Sequence, residues 1–287
     1  MLRAVKRTDD TGRESEVMFS LDDIDALVVH AHGSTFSANL ISRLAERGAP
    51  VVMCGSNHAP IGLLWPIDGH YEQGRRMEAQ AEAARPTRKR LWRDLVMAKI
   101  RAQADVLDLV GEQGEGLRIL ARKTRSGDPE NIEAQGARKY WPLMMGRDFR
   151  RDRSAGGVNA LLNYGYTVLR AATARSIIAA GLHPSLAIHH QSRGTALRLS
   201  DDLMEPFRPF ADLTVRRLMD AGENDINRDS KATLAAIVTL DLQGPKGASP
   251  VQACLDRLAV SLAQVYLGDR QELEVPGPPL PLSMAAS

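Results

Sequence analysis

Hydrophobic positions change their spacing early in the chain, and the change separates two kinds of structure. From Leu2 to about Pro66 the apolar residues come in short runs: Leu-Arg-Ala-Val-Lys-Arg at the start, Glu16-Val-Met-Phe-Ser-Leu, Ile24 to Val29, and Pro50-Val-Val-Met-Cys54. Short apolar runs separated by polar turn residues, as at Thr8-Asp-Asp-Thr-Gly12, predict strands. One helix interrupts them: Ser37 to Arg47 carries Leu40, Ile41 and Leu44 at helical spacing, and Gly48 is placed to end it. Residues 67–86 mix glycine, charge and proline with little apolar periodicity and predict a linker. Helical spacing then dominates over Trp92 to Leu109, Asn131 to Leu143, Gly157 to Ala180, Asp202 to Ala221, Ser230 to Leu240 and Val251 to Tyr266. Pro276, Pro278, Pro279 and Pro281 predict an extended tail, because proline cannot continue a helix. The expected class is α+β. A small β-rich domain with one helix covers 1–66, a linker 67–86, a larger all-α domain 87–272, and a proline-rich tail 273–287.

Composition narrows the class without deciding the function. Over 287 residues, 44% hydrophobic and 25% charged side chains fit a globular chain and not a disordered or fibrous one. The formal net charge of +2 is too small to argue for nucleic acid by itself, so the distribution of cations matters more. They cluster: Arg85, Arg88, Lys89, Arg90 and Arg93; Arg118, Arg122, Lys123 and Arg125; and Arg138, Lys139, Arg147, Arg150, Arg151 and Arg153. Charge runs on helices are usually solvated faces. No apolar run approaches bilayer length and the N-terminus has no apolar signal core, which predicts a cytoplasmic location. Two cysteines, Cys54 and Cys254, make neither a disulfide framework nor a zinc site and are expected to be buried packing residues.

Three separated residues have the chemistry of a divalent-metal site: Glu133, His190 and Glu205. Two carboxylates and one imidazole suit an ion such as Mn²⁺ or Mg²⁺. Each also has a plainer reading. Glu133 follows Asp128 and Pro129, with Asn131 placed as a cap, and is equally a first-turn glutamate complementing the helix dipole. The small residues Ala134, Gly136 and Ala137 beside it would admit a closely packed neighbour. His190 competes with His189, since adjacent side chains point apart and one ion is not expected to receive both. His183 reads as a surface residue. Asp201 and Asp202 with Glu205 resemble an acidic helix start with proline in its first turn. Asp202 and Glu205 also share a helical face, so one can bind metal while the other orients a water or a ligand. The chain has no His-Glu-x-x-His and no phosphate-binding glycine loop, which leaves phosphate chemistry on nucleic acid as the fitting use. Guanidinium groups of the third cluster would then clamp phosphates, with Tyr140 or Trp141 stacking on an unpaired base.

Several motifs in a fixed order resemble a known family. They are Asp22-Asp-Ile-Asp, Leu91-Trp-Arg-Asp-Leu-Val-Met-Ala-Lys-Ile100, Glu133 to Tyr140, Asn159-Ala-Leu-Leu-Asn-Tyr-Gly-Tyr166, and Gly181 through Pro209. Together they span most of the chain and are similar to the CRISPR-associated integrase and endonuclease of spacer acquisition, the larger of the two universal adaptation proteins, in its type II form. The resemblance implies a β-sandwich followed by a helical catalytic domain. It implies metal ligation by Glu133, His190 and Glu205, with His190 selected over His189 by the tenth position of the pattern opening at Gly181. Asp202 is then left to orient a ligand, and Arg138, Lys139, Tyr140, Arg147 and Arg150 are candidate DNA contacts. The implied reaction is attack of a prespacer 3′-hydroxyl on a repeat phosphodiester, helped by Mn²⁺ or Mg²⁺. The implied partners are double-stranded DNA, a second copy in a homodimer built on the N-terminal domain, and the small second adaptation protein. Family members carry two further strand-like segments ahead of the point where this chain starts, so the sandwich is expected to be smaller here or the start to lie upstream. A structure-selective repair nuclease using water at the same site, and a DNA-binding scaffold without catalysis, are the alternatives.

Overall fold

The computed structural model describes residues 2–6, 15–24, 26–29, 33–55, 60–67, 71–190, 196–245 and 247–280. Contacts divide the chain into two units, Met1–Tyr71 and Glu72–Ser287. In the first, β1 (Leu2–Lys6) pairs antiparallel with β2 (Ser15–Phe19), Leu2 opposite Phe19. The turn expected at residues 8–12 lies outside the described residues. A second sheet begins with β3 (Leu27–Val29), which runs parallel to β4 (Val51–Cys54) across the helix α1 (Ala38–Glu46). The α1 helix starts because the Ser37 hydroxyl accepts the Leu40 N–H at 3.2 Å, and it buries Leu44 against Leu21, Val29, Ala49 and Val51. An unexpected strand, β5 (Pro60–Leu64), pairs antiparallel with β4. Its sequence hides it: proline and glycine are depleted in strands, but proline is tolerated as the first residue of one.

The second unit is helical around two long central segments. In chain order its helices are α2 (Gln73–Ala81), α3 (Arg85–Leu109), α4 (Glu115–Ala121), α5 (Ile132–Met145), α6 (Val158–Ala179), α7 (Arg198–Leu203), α8 (Arg208–Asp220), α9 (Arg228–Ala235) and α10 (Val251–Leu267). Leu91, Leu95, Ile100 and Leu107 of α3 and Leu161, Leu169 and Ile177 of α6 are buried in one core with Phe207, Phe210, Leu258 and Leu262. The single helix expected from Asp202 to Ala221 is broken. Pro206 and Pro209 have no N–H to give the carbonyls of Asp202 and Glu205, and a 3-10 turn, Glu205–Phe207, joins α7 to α8 instead. Cys54 and Cys254 are free and buried, as expected. Among the described residues no helix is long and apolar enough to cross a membrane.

Two segments depart from the sequence reading. Residues 73–81, inside the expected linker, form α2, and α3 already starts at Arg85. Apolar periodicity misses α2 because it docks through polar groups: Gln80 is buried and Arg76 donates to the Ala180 carbonyl at 2.9 Å. The helical unit also contains a hairpin, β6 (Asp241–Gly244) with β7 (Gly247–Pro250). Part of the proline-rich tail lies along β6, where Gln243 donates to the Pro278 carbonyl and Leu280 to the Asp241 carbonyl. Proline suits such an edge, which needs few donors from the added segment.

Gly277 lets the tail approach. A Cβ there would lie 2.2 Å from the Gln243 carbonyl oxygen, so Gly277→Ala is expected to push the tail off β6 and cost about 1–3 kcal/mol. Chemical denaturation measures this, and an unchanged midpoint would show that the tail adds nothing to the fold.

Candidate active site

Helix α3 supplies the floor of the site. Trp92 and Lys99 are seven residues apart, two helical turns, and so share a face. The Lys99 ammonium lies 2.6 Å from Glu133 Oε1 and 2.6 Å from Glu205 Oε2, while Arg208 meets Glu205 Oε1 at 3.0 Å. Burial opposes a charge on Lys99, but Glu205 and Glu133 outweigh it and raise its pKa above the usual value. Burial likewise opposes the charge on Glu205, yet Arg208 and Lys99 hold its carboxyl below the usual range. Lys99, Glu205 and Arg208 are therefore ionised at neutral pH.

Local capping chemistry aims Glu133. Asp128 and Asn131 both adopt positive φ, 49° and 53°. From there the Asp128 carboxylate accepts the N–H groups of Ile132 and Glu133 at 2.8 and 3.0 Å, and Asn131 accepts that of Ala134. Glu133 is thus a first-turn glutamate, and its side chain also reaches Lys99. Gly136 brings α5 close to α3, since a Cβ there would sit 3.3 Å from Ile100 Cγ1. Glu205 stands in the turn that the two prolines impose between α7 and α8.

His190 closes a segment, residues 181–190, that has no regular hydrogen bonding of its own. Asp202, fully buried on α7, replaces it. Its carboxylate accepts the N–H groups of Ile188, His189 and His190 at 2.7, 3.0 and 3.2 Å, and it bonds His190 Nδ1 at 2.6 Å. That last bond raises the His190 pKa and leaves Nε2 as the nitrogen for an outside partner. His189 instead stacks flat on Trp92, ring centroids 4.3 Å apart, and His190 meets Trp92 edge-on. The His190 and Glu205 charges influence one another, which places both in one electrostatic neighbourhood. From the other side, Gln80 of α2 donates to the His183 and Leu186 carbonyls and accepts the His183 N–H at 2.8 Å. His183, read as a surface residue, is half-buried; its Nδ1 accepts the Ser185 N–H, and burial lowers its pKa.

Behind Arg208 lies a buried polar layer. Arg208 sits over the Tyr166 ring at 4.9 Å, and the Tyr166 and Tyr140 hydroxyls donate to Asp212 at 2.5 and 3.0 Å. Burial pushes Asp212 up to about 6. Tyr140 is completely buried, so the expected stacking of a DNA base on it is corrected: its ring is core and its hydroxyl serves Asp212. Arg138, Lys139, Arg147 and Arg150 are all exposed. Arg151 instead donates to Asn159 and Asn163.

Among the described residues no three carboxylate, imidazole or thiol groups are gathered as a metal cluster, and the meeting point of Glu133 and Glu205 is taken by Lys99. The donor set nevertheless fits a divalent ion. Glu133 and Glu205 already turn an oxygen each to one cation, and oxygen donors beside an imidazole Nε2 suit Mn²⁺ or Mg²⁺. Sequence reasoning missed Lys99, Arg208, Gln80 and Asp212. For Lys99 a signal existed, a lone cation in the apolar stretch Leu95 to Ile100 at two turns from Trp92.

The family model for CRISPR associated protein Cas1 matches residues 5–244. A CRISPR-associated endonuclease Cas1 of Neisseria meningitidis is 39% identical over 204 residues, 70% of this chain and 67% of the relative. Among solved structures, a casposase bound to integration product superposes with a TM-score of 0.74 at 20% identity, covering 93% of this chain and 86% of that one. A partial Cas6-RT-Cas1–Cas2 complex contains a chain similar at a TM-score of 0.63 and 16% identity, with 95% of each chain covered. The two structural likenesses carry the fold.

Asp202→Ala would leave three backbone N–H groups near buried surroundings without their acceptor, and is expected to cost about 2–4 kcal/mol. Amide exchange at Ile188, His189 and His190 should accelerate more than exchange in the α6 core. Equal acceleration throughout would show that Asp202 does not hold this segment.

Proposed function

From membership of the CRISPR-associated Cas1 family, to which this chain belongs, we propose that it is a metal-dependent DNA integrase and endonuclease that inserts new spacers into a CRISPR array. The observation that carries the reading is the convergence of Glu133 and Glu205 on one point, with His190 held by Asp202 in the same electrostatic neighbourhood. Glu133, Glu205 and His190, through its Nε2, would hold Mn²⁺ or Mg²⁺. When bound, the ion polarises the scissile phosphate and lowers the cost of charge on the leaving oxygen. Asp202 holds the His190 ring in one orientation by fixing Nδ1. Arg208 keeps Glu205 ionised in a buried place. The exposed cations Arg138, Lys139, Arg147 and Arg150 bind backbone phosphates, which suits an enzyme accepting prespacers of many sequences.

The partners follow the same reading. Substrates are the double-stranded prespacer and the repeat. The casposase neighbour, bound to integration product, supports attack by a DNA 3′-hydroxyl over attack by water. The Cas1–Cas2 neighbour supports association with the small second adaptation protein. The N-terminal unit exposes Val17, Met18, Phe19, Met53, Ile61 and Leu64, which homodimerisation would cover. The location proposed is the cytoplasm.

Glu133→Ala, His190→Ala and Glu205→Ala are each expected to lower joining of a labelled prespacer to repeat DNA by about a thousandfold or more, while DNA affinity stays nearly unchanged. His189→Ala keeps substantial joining. Adding the small second protein and Mn²⁺ to the wild type gives joined product. Cleavage without joining would favour the repair-nuclease reading, and joining that survives all three substitutions would remove these residues from the chemistry.

A further inference from the structure

A positive charge already stands at the meeting point of the two carboxylates. We propose that Lys99 is the resident cation of the site: it holds Glu133 and Glu205 together before a divalent ion binds, and its charge sets how tightly that ion is then held. The proposal rests on the reading of Glu133, Glu205 and His190 as ligands.

Geometry and charge carry it. The same Nζ lies 2.6 Å from an oxygen of each carboxylate, and the Lys99 and Glu205 side chains are 11% and 4% exposed. Two carboxylates at such range in partly dried surroundings repel, and a cation between them turns repulsion into attraction. Arg208 does not fill this role, since it pairs with the other oxygen of Glu205. The contact to Glu205 Oε2 is an ion pair as short as that to Glu133 Oε1, so one ammonium holds both carboxylates. Lys99 projects from the interior of a 25-residue helix whose neighbours Ala98 and Ile100 are buried, so its backbone is fixed. Its four-carbon stem is flexible, and the ammonium can withdraw while α3 stays in place. A divalent ion adds two positive charges where one already stands. The ion must displace the ammonium, so Lys99 opposes the affinity that its presence organises. Lys99 is in these terms a positioning residue, acting through Glu133 and Glu205.

Calorimetric titration of Mn²⁺ into the full chain tests this in the wild type, Lys99→Met, Lys99→Arg and Glu133→Gln, with melting curves at each end point. Lys99→Met is expected to melt lower than the wild type without metal and to bind Mn²⁺ more tightly by about tenfold or more. Mn²⁺ then raises its melting temperature further than it raises that of the wild type. Lys99→Arg keeps the charge and the weaker binding. A second measurement needs no folded variant: the ¹⁵N-lysine signal of the Lys99 ammonium in the wild type should move as Mg²⁺ is added. Lys99→Met binding Mn²⁺ no more tightly than the wild type, or an ammonium signal unmoved at saturating Mg²⁺, would overturn the proposal. Loss of Mn²⁺ binding in Glu133→Gln beside an unchanged Lys99→Met would overturn it alone. Equal binding by Glu133→Gln and the wild type would remove the ligand reading and this proposal together.

Discussion

Two glutamates from distant parts of the chain share one ammonium, and most of the helical unit is arranged so that they can. Helix α3 brings Lys99 to the meeting point, α5 brings Glu133 from its first turn, and the proline-imposed turn between α7 and α8 brings Glu205. Desolvated charges of this kind add little net stability, yet removing one partner of a buried pair costs about 3–5 kcal/mol because it leaves the other charge uncompensated. Each segment has its own local device for presenting its charge. Asp128 and Asn131 set the start of α5, and Gly136 lets it lie close against Ile100. Pro206 and Pro209 stop the preceding helix from continuing past Glu205.

The histidine reaches the same neighbourhood by a different route. Residues 181–190 form neither helix nor strand, so their backbone donors need other acceptors. Asp202 satisfies three of them and the imidazole at once. Gln80 secures the opposite end of the segment from α2. The position of His190 therefore depends on two buried polar side chains and not on regular structure. Behind Glu205, the chain of Arg208, Tyr166, Asp212 and Tyr140 continues the polar network into the core.

Much of this was legible in the sequence, and what was not has identifiable physical causes. The long helices α5, α6 and α10 and the part of α3 from Trp92 onward follow their apolar spacing closely, and the Ser37 start and Gly48 end of α1 were visible in the residues themselves. Glu133, His190 and Glu205 each had a plainer reading from the residues alone, and the motifs that resemble the family singled them out. Helix α2 escaped because it is anchored by Gln80 and Arg76 and has no apolar stripe to detect. The β6–β7 hairpin escaped because its residues, Asp-Leu-Gln-Gly and Gly-Ala-Ser-Pro, carry little strand propensity, and the tail along Gln243 stabilises it from elsewhere in the chain. Tyr140 was misread because a tyrosine beside arginines looks like a stacking platform. Only the fold reveals Asp212 beneath it, 72 residues further on.

Diffraction from crystals of this protein equilibrated with Mn²⁺, recorded at the manganese absorption edge, addresses the central claim most directly. One strong anomalous peak is expected in contact with Glu133, Glu205 and Nε2 of His190, with the Lys99 ammonium drawn back from the position it holds between the carboxylates. A peak elsewhere on the chain, or an ammonium still bridging Glu133 and Glu205 at saturating Mn²⁺, would contradict it.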